Sequence, residues 1–304
     1  MAHCRKSSSE QLALRISLAG TVLMAVSGLG MGWYVNSDAI LLDGVFSLLS
    51  MAMTGLTLFT AHLVSRPDDE VFQFGYSHLE PLITVVNGLI ILAICLFAFY
   101  GGVQAMLHGG NPINLDVALT YALLSTVFSF VIFFTERHIA REVDSELVRV
   151  DAQEWLVDGI LSTTILSGFL LVMLLDALGY SHWNAYVDPI LVSALALAMA
   201  MLPLQVLRRN LKEVLLMTPD TPVRRRVEST LAGIARRYDF SDYSCHFTKS
   251  GRQYDLEINI LVADSDHWPL ERQDSVREII HQHLVQPLGD TWLSVSFTRS
   301  ERWL

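Results

Sequence analysis

Six stretches of mostly apolar residues run through the first two thirds of the sequence, at roughly 12–35, 38–63, 80–106, 115–135, 153–177 and 185–207. Each has the roughly 20 residues that a helix needs to cross the hydrocarbon core of a bilayer. No water reaches the backbone there, so every N–H and C=O must be paired within the segment, which a helix does by itself. The chain is therefore expected to be a six-span helical membrane protein with a polar tail of about ninety-five residues behind it.

The loops between the stretches set its orientation. Arg5, Lys6 and Arg15, then Arg66, then Arg137, Arg141 and Arg149, then Arg208, Arg209 and Lys212 all fall on one side. The opposite loops (36–37, 107–114 and 178–184) carry neither Lys nor Arg. By the positive-inside rule both termini are cytoplasmic. A secretory signal is a poor reading of the first stretch, because an h-region is about 7–15 residues long and this one is longer. Overall the sequence is 52% apolar with a net charge of −10, and the polar tail dilutes a very apolar front. A net acidic chain of this kind has no basic footprint for nucleic acid. Three cysteines without C-x-x-C spacing argue against both disulfides and a thiolate metal cage.

Local signals punctuate the helices. Gly109-Gly110-Asn111-Pro112 breaks the chain between spans three and four, and Asp188-Pro189 places a proline in the expected first turn of span six. The charged run from Glu136 to Asp151 contains no Gly or Pro and can carry span five out of the bilayer as one helix. Beyond Thr221 the periodicity changes. Residues 222–238 read as an amphipathic helix with Val223, Val227, Leu231 and Ile234 at helical spacing. Residues 242–248 and 253–263 read as strands around Ser250-Gly251, 270–285 as a second helix and 292–298 as a last strand. The αββαβ order predicts a small open sheet with two helices on one face.

The acidic residues inside the spans carry the chemistry. A carboxylate at mid-bilayer costs about 2.5–3.5 kcal/mol on insertion scales, so it marks a functional site. Asp43 and Ser47 lie four apart on span two, one turn above each other on one face; Glu154 and Asp158 repeat the spacing on span five, and Asp151 extends that face. Two such pairs offer four oxygens to one divalent cation, a donor set suited to Mn²⁺, Mg²⁺ or Fe²⁺. Carboxylates must lose their protons to bind metal, so binding and proton release are linked. Other readings stand beside this one. Glu154 and Asp151 can be interfacial residues at the start of span five, and Asp43 a wet residue near the outer end of span two. Ser47 can bond its own i−4 carbonyl. Asp43 sits towards the outer end of its span and Asp158 towards the inner end of its own, so the two need to be brought level.

The chain resembles the cation diffusion facilitator family of metal–proton antiporters over nearly all of residues 12–298. The matching segments are Ser37-Asp38-Ala39-Ile40-Leu41-Leu42-Asp43-Gly44, Phe74-Gly75-Tyr76-Ser77-His78-Leu79-Glu80-Pro81, Phe99-Tyr100-Gly101-Gly102 and Asp188-Pro189. The resemblance implies an all-α six-helix transmembrane domain over 12–207, preceded by a cytoplasmic segment at 1–11. It implies a cytoplasmic α+β ferredoxin-like dimerisation domain over 208–304. It also implies efflux of a divalent cation (Mn, Fe, Zn, Co or Mg) by proton antiport, in a homodimer in a bacterial plasma membrane. Such a chain is a secondary transporter, not an enzyme, and uses no organic cofactor.

The implied transport ligands are Asp43, Ser47, Glu154 and Asp158. Ser47 and Glu154 depart from the Asp or His usual in the family, which argues against a zinc-optimised site. Auxiliary sites of some members are not expected. Asp69, Phe72 and Tyr76 stand at one, where only the acid can ligate. At the other, in the tail, stand Tyr243, Asn259 and Thr298, with Asp274 as the one residue there able to coordinate. His281, His283 and His246 read as solvated or structural, and His78 takes the place of a lysine near the dimer crossing. The departures keep one alternative in view, a transport-incompetent paralogue acting as a membrane assembly module.

Overall fold

The computed structural model describes residues 2–64, 66, 68–143, 146–219, 221–264 and 267–304. Each apolar stretch forms one helix: α1 Ala2–Val35, α2 Asp38–Val64, α3 Leu79–Leu107, α4 Leu115–Val143, α5 Glu146–Ala177 and α6 Asn184–Val214. All six are long and apolar enough to cross a membrane. Their outward faces agree, since Trp33, Phe97, Leu124 and Leu202 stand largely exposed, a surface that lipid tolerates and water does not.

Two helix ends differ from expectation. The fourth span was read as ending near 135, but α4 continues to Val143. No Gly or Pro stops it, and His138 and Glu142 pair at 3.3 Å one turn apart. Residues 144–145, inside the run read as a continuous helix, lie outside the described residues. At the other helix, α6 starts at Asn184, so Pro189 sits in the second turn rather than the first. Its ring removes the N–H that would reach the Ala185 carbonyl. That carbonyl instead accepts the Asn111 N–H at 2.7 Å. Gly110 allows the approach: its φ is +85°, and a Cβ there would lie 2.3 Å from the Ala185 oxygen.

The chain forms two compact units. One comprises Met1–Thr57 and Ile90–Pro203, the other Leu58–Leu89 and Leu204–Leu304. In the first, α4 and α5 pack along much of their lengths and α1 lies against α4. Its core is layered. Val35, Ile40, Ala118, Ile165, Phe169 and Val192 fill one end. Met24, Ile132, Phe133 and Trp155 form the next layer, and Ala13, Ala140 and Val148 close the end beside the α4–α5 link.

The second unit contains α7 (Thr221–Tyr238), β1 (Asp242–Ser250), β2 (Gln253–Leu261), α8 (Leu270–Ile280) and β3 (Thr291–Thr298). The sheet order is β1-β2-β3, with β1 antiparallel and β3 parallel to β2. Leu256, Ile258 and Ile260 alternate inward along β2 and meet Val227, Leu231 and Ile234 of α7 and Val276 and Ile280 of α8. The expected second helix is interrupted, because residues 281–285 widen into a π-helical turn. The β1–β2 turn lies against the start of α3 and the end of α6. Arg252 Nε donates to Glu80 at 3.1 Å and Lys249 Nζ to Glu213 at 3.0 Å. Gly251, at φ +62°, leaves room for the Ser77 carbonyl.

Candidate metal site on the second and fifth helices

The position of Asp43 follows from how α2 begins. The Ser37 hydroxyl accepts the Ile40 N–H at 3.3 Å, a helix N-cap. Ser37 also donates to Asp188 of α6 at 2.6 Å, and the Asp38 and Ala39 N–H groups donate to the same carboxylate at 3.0 and 3.4 Å. Asp188 is fully buried and faces the positive end of the α2 dipole.

Farther along, α1 and α2 come into backbone contact. A Cβ on Gly44 would lie 2.5 Å from the Leu29 nitrogen, and one on Gly32 would lie 2.5 Å from the Leu41 nitrogen. Small residues make such crossings possible. Asp43 and Ser47 sit beside this crossing and are both buried. Ser47 donates its proton to the Asp43 carbonyl at 3.1 Å, which leaves the lone pairs of its oxygen available. The Tyr121 hydroxyl of α4, buried beside Ser27 and Ser125, lies within electrostatic reach of Asp43.

On α5, Asp151, Glu154 and Asp158 occupy one face at spacings of three and four. Asp158 reaches Asp43 electrostatically across the helices, and Glu154 reaches Asp158 along its own. Val35, Ala39 and Ile40, where α1 gives way to α2, share one core cluster with Ile165 and Phe169 of α5, and Asp43 follows one turn farther along α2. Among the expected ligands, Asp43 and Ser47 are buried, Asp158 lies within electrostatic reach of Asp43, and Glu154 is exposed. Among the described residues no three His, Cys, Asp or Glu converge closely enough to hold one ion.

One acidic residue escaped the sequence reading. Glu136 of α4, read as the first residue of a charged run leading out of the bilayer, is 1% exposed. Asp151, Ser17 and Glu154 surround it. A signal was present. Ala118, Ala122, Ser125, Ser129, Ile132 and Ala140 are all buried, and their steps of three and four carry the inner face of α4 through position 136. With it, the carboxylates form a row from the α4–α5 link upward: Glu136, Asp151, Glu154, Asp158 and Asp43.

A model of the cation efflux transmembrane domain matches residues 14–215, more than half of the sequence. The chain belongs to the cation efflux family. This cation efflux protein is similar to the cation-efflux pump FieF of Cronobacter sakazakii, 28% identical over 184 residues that cover 57% of this chain and 60% of that protein. FieF of Citrobacter koseri is 25% identical over 51% of this chain and 53% of its own length. The human probable proton-coupled zinc antiporter SLC30A4 is 27% identical over 42% of this chain and 30% of its own. The chain therefore spans 60% or less of these relatives.

In this cation efflux chain the positions likened to auxiliary sites are engaged locally. Asp69 accepts the Val71 and Phe72 N–H groups and the Tyr76 hydroxyl. The Tyr76 hydrogen bond above all, with these N–H groups, holds the Asp69 carboxyl below its ordinary value, and the Tyr76 phenol is raised in turn. Asp274 is bound by Arg277 at 2.5 Å, and Asn259 donates to Glu257 at 3.4 Å. Tyr243 lies opposite Ile260, Thr298 opposite Leu261, and His246, His281 and His283 are exposed. The His78 ring packs 5.5 Å from Phe72. Burial first, then Glu228, pushes the Cys245 thiol up to about 11, so it is no ready thiolate ligand.

Proposed function

We propose that this chain exports a divalent metal cation from the cytoplasm in exchange for protons. In this reading Asp43 and Asp158 are the central ligands, Ser47 is an auxiliary oxygen and Glu154 joins from one turn below. The observation that carries it is the facing of Asp43 and Asp158 inside an apolar bundle, with no basic side chain paired to either among the described residues. Two like charges in a poorly solvated site are costly unless a cation or protons neutralise them. A metal ion and protons are then alternative occupants of the same oxygens, which is the coupling an antiporter needs. The human relative's name as a probable proton-coupled zinc antiporter supports that coupling.

All-oxygen donors favour Mn²⁺, Fe²⁺ or Mg²⁺, with Zn²⁺ and Co²⁺ also in range. The loop charges support cytoplasmic termini, and we place the chain in a bacterial plasma membrane. The αββαβ order supports a ferredoxin-like domain over 208–304, through which two copies pair, behind a transport domain over 12–207. Alternating access moves the α2–α5 region against the remaining helices.

The test is metal flux in proteoliposomes carrying a pH gradient, with Mn²⁺, Fe²⁺, Zn²⁺, Co²⁺ and Mg²⁺ run in parallel. The expected result is flux with opposing proton movement, lost in Asp43→Asn and Asp158→Asn. No flux for any ion from a folded protein overturns the reading and favours the assembly module. Flux that survives both substitutions overturns the ligand assignment alone.

A further inference from the structure

The end of α6 carries a charge arrangement that metal transport does not use. Arg208, Arg209 and Lys212 follow directly on the apolar stretch that ends near residue 207. Steps of three and four put them on one side of the helix. Like charges at that spacing repel each other unless an acid is set among them. The acid at hand is Glu213, and both of its oxygens are taken. Lys249 Nζ of β1 donates to one at 3.0 Å and the Gly251 N–H to the other at 3.3 Å. Among the described residues, no ion pair holds Arg208, Arg209 or Lys212.

These cations converge on a cavity of about 410 Å³, lined by Arg208, Arg209, Lys212 and Lys249, with Val223 of α7 and Tyr254 of β2 among its walls. All of them belong to the second compact unit. Orientation in the membrane needs Lys and Arg on one side of it. It does not need them gathered around one hollow with a lysine from a sheet. A cleft lined by one sign of charge focuses the field and draws in the opposite ion, here within a sequence whose net charge is −10.

The surroundings say which anion fits. Leu204, Leu211 and Leu215 form an exposed apolar stripe beside Arg208, at steps of seven and four along α6. A free phosphate gains nothing from such a border, whereas a phospholipid sets its phosphate among the cations and its carbon chains along the leucines. The depth agrees, because the cavity begins where the apolar stretch ends, at the level of the headgroups. Four cations around one engaged carboxylate repel the ammonium of a zwitterionic headgroup, so a headgroup of net negative charge is favoured.

We infer that the cavity at the end of α6 binds the phosphate of an anionic phospholipid, on the side of the membrane where the tail lies. Arg208 and Arg209 supply planar forks that match phosphate oxygens, and Lys212 and Lys249 supply point charges. Because Lys249 is also tied to Glu213, the bound lipid joins the end of α6 to the sheet and steadies the β1–β2 turn. The inference rests on the membrane placement of α6 and not on the export of metal.

The test titrates the purified full chain in neutral detergent with phosphatidylglycerol, phosphatidylcholine or inorganic phosphate, counting bound lipid by native mass spectrometry and following the melting temperature. The parent is expected to bind phosphatidylglycerol about tenfold more tightly than phosphatidylcholine, and to be stabilised by it. Arg208→Gln/Arg209→Gln/Lys212→Gln lowers that affinity about tenfold, and Lys212→Gln alone about threefold. Arg225→Gln/Arg226→Gln/Arg236→Gln, an equal loss of charge at exposed positions of α7, leaves it within about twofold. Equal losses in the two triple variants overturn the site, because they mark a general attraction to the surface. So does an unchanged affinity in both the first triple variant and Lys212→Gln. Stabilisation by inorganic phosphate to the same extent as by phosphatidylglycerol overturns the lipid and assigns the cavity to a soluble anion. A change of oligomeric state in the first triple variant, with lipid affinity unchanged, assigns the cations to a second copy instead. Metal flux enters none of these outcomes, so failure of the lipid site and failure of export are told apart.

Discussion

Asp188→Ala is the substitution whose cost can be worked most directly from the structure. Asp188 accepts the Ser37 hydroxyl at 2.6 Å, the Asp38 N–H at 3.0 Å and, weakly, the Ala39 N–H at 3.4 Å, all at a fully buried carboxylate. Hydrogen bonds to a charged group contribute about 1.5–3 kcal/mol each, and a buried donor left unmatched adds its desolvation cost. Two good bonds and one weak one give about 3–6 kcal/mol. The Ser37 hydroxyl can rotate to another acceptor, but the Asp38 N–H cannot, so about 3–4 kcal/mol remains. That is a change of more than a hundredfold in the unfolding equilibrium, at about 1.4 kcal/mol per factor of ten. Asp188→Asn keeps one acceptor oxygen and turns an N–H₂ towards the remaining donor, so it should lose roughly half as much. Reversible unfolding in mixed micelles of increasing SDS fraction measures the series, with the order parent, Asn, Ala expected. An Ala variant unfolding at the parent's midpoint would refute the claim that Asp188 holds the start of α2. Because Asp43 lies one turn and a half beyond that start, Mn²⁺ affinity should fall along the same series.

Three further outcomes are expected. Gly44→Ala places a Cβ 2.5 Å from the Leu29 backbone, so α1 and α2 must separate; flux should fall at least tenfold, whereas Gly30→Ala, with nothing within 4 Å, should be neutral. Gly251→Ala combines a φ of +62° with a Cβ 2.3 Å from the Ser77 carbonyl. It should cost at least about 1 kcal/mol from the backbone conformation alone, read as a lower melting temperature and faster proteolysis at the β1–β2 turn. Tyr76→Phe removes the largest cause of the lowered Asp69 carboxyl. Depression of the folded value means that this loop is favoured above the unfolded carboxylate's titration and loosens as pH falls through the folded one. In Tyr76→Phe the Asp69 titration followed by NMR should therefore move up towards the ordinary range, and the loop should loosen at a higher pH than in the parent.

Much of the architecture is a consequence of local chain properties. Every span was legible because a run of about 20 apolar residues has one stable solution in a bilayer. The inward alternation of Leu256, Ile258 and Ile260 marked β2 for the same local reason, and the i, i+4 spacing put Asp43 over Ser47 and Glu154 over Asp158. Helix boundaries were less legible where tertiary partners replaced local ones. Pro189 sits inside α6 because Asn111 satisfies the carbonyl that its ring leaves free. Glu136 was read with the charged run that leads out of the bilayer; its burial depends on α1 and α5 closing over the inner face of α4.

Helical periodicity could place each acidic residue on a face, but it could not place one face against another. The sequence by itself determined how many helices there are, their lengths and which residues share a stripe, since these depend on interactions within a few turns. Only the tertiary structure decided that Gly28 and Gly44 bring α1 and α2 into contact, that Asp43 comes within electrostatic reach of Asp158, and that Glu136 is buried beside Asp151. Those features depend on which surfaces pack at which depth, and packing joins residues more than a hundred positions apart.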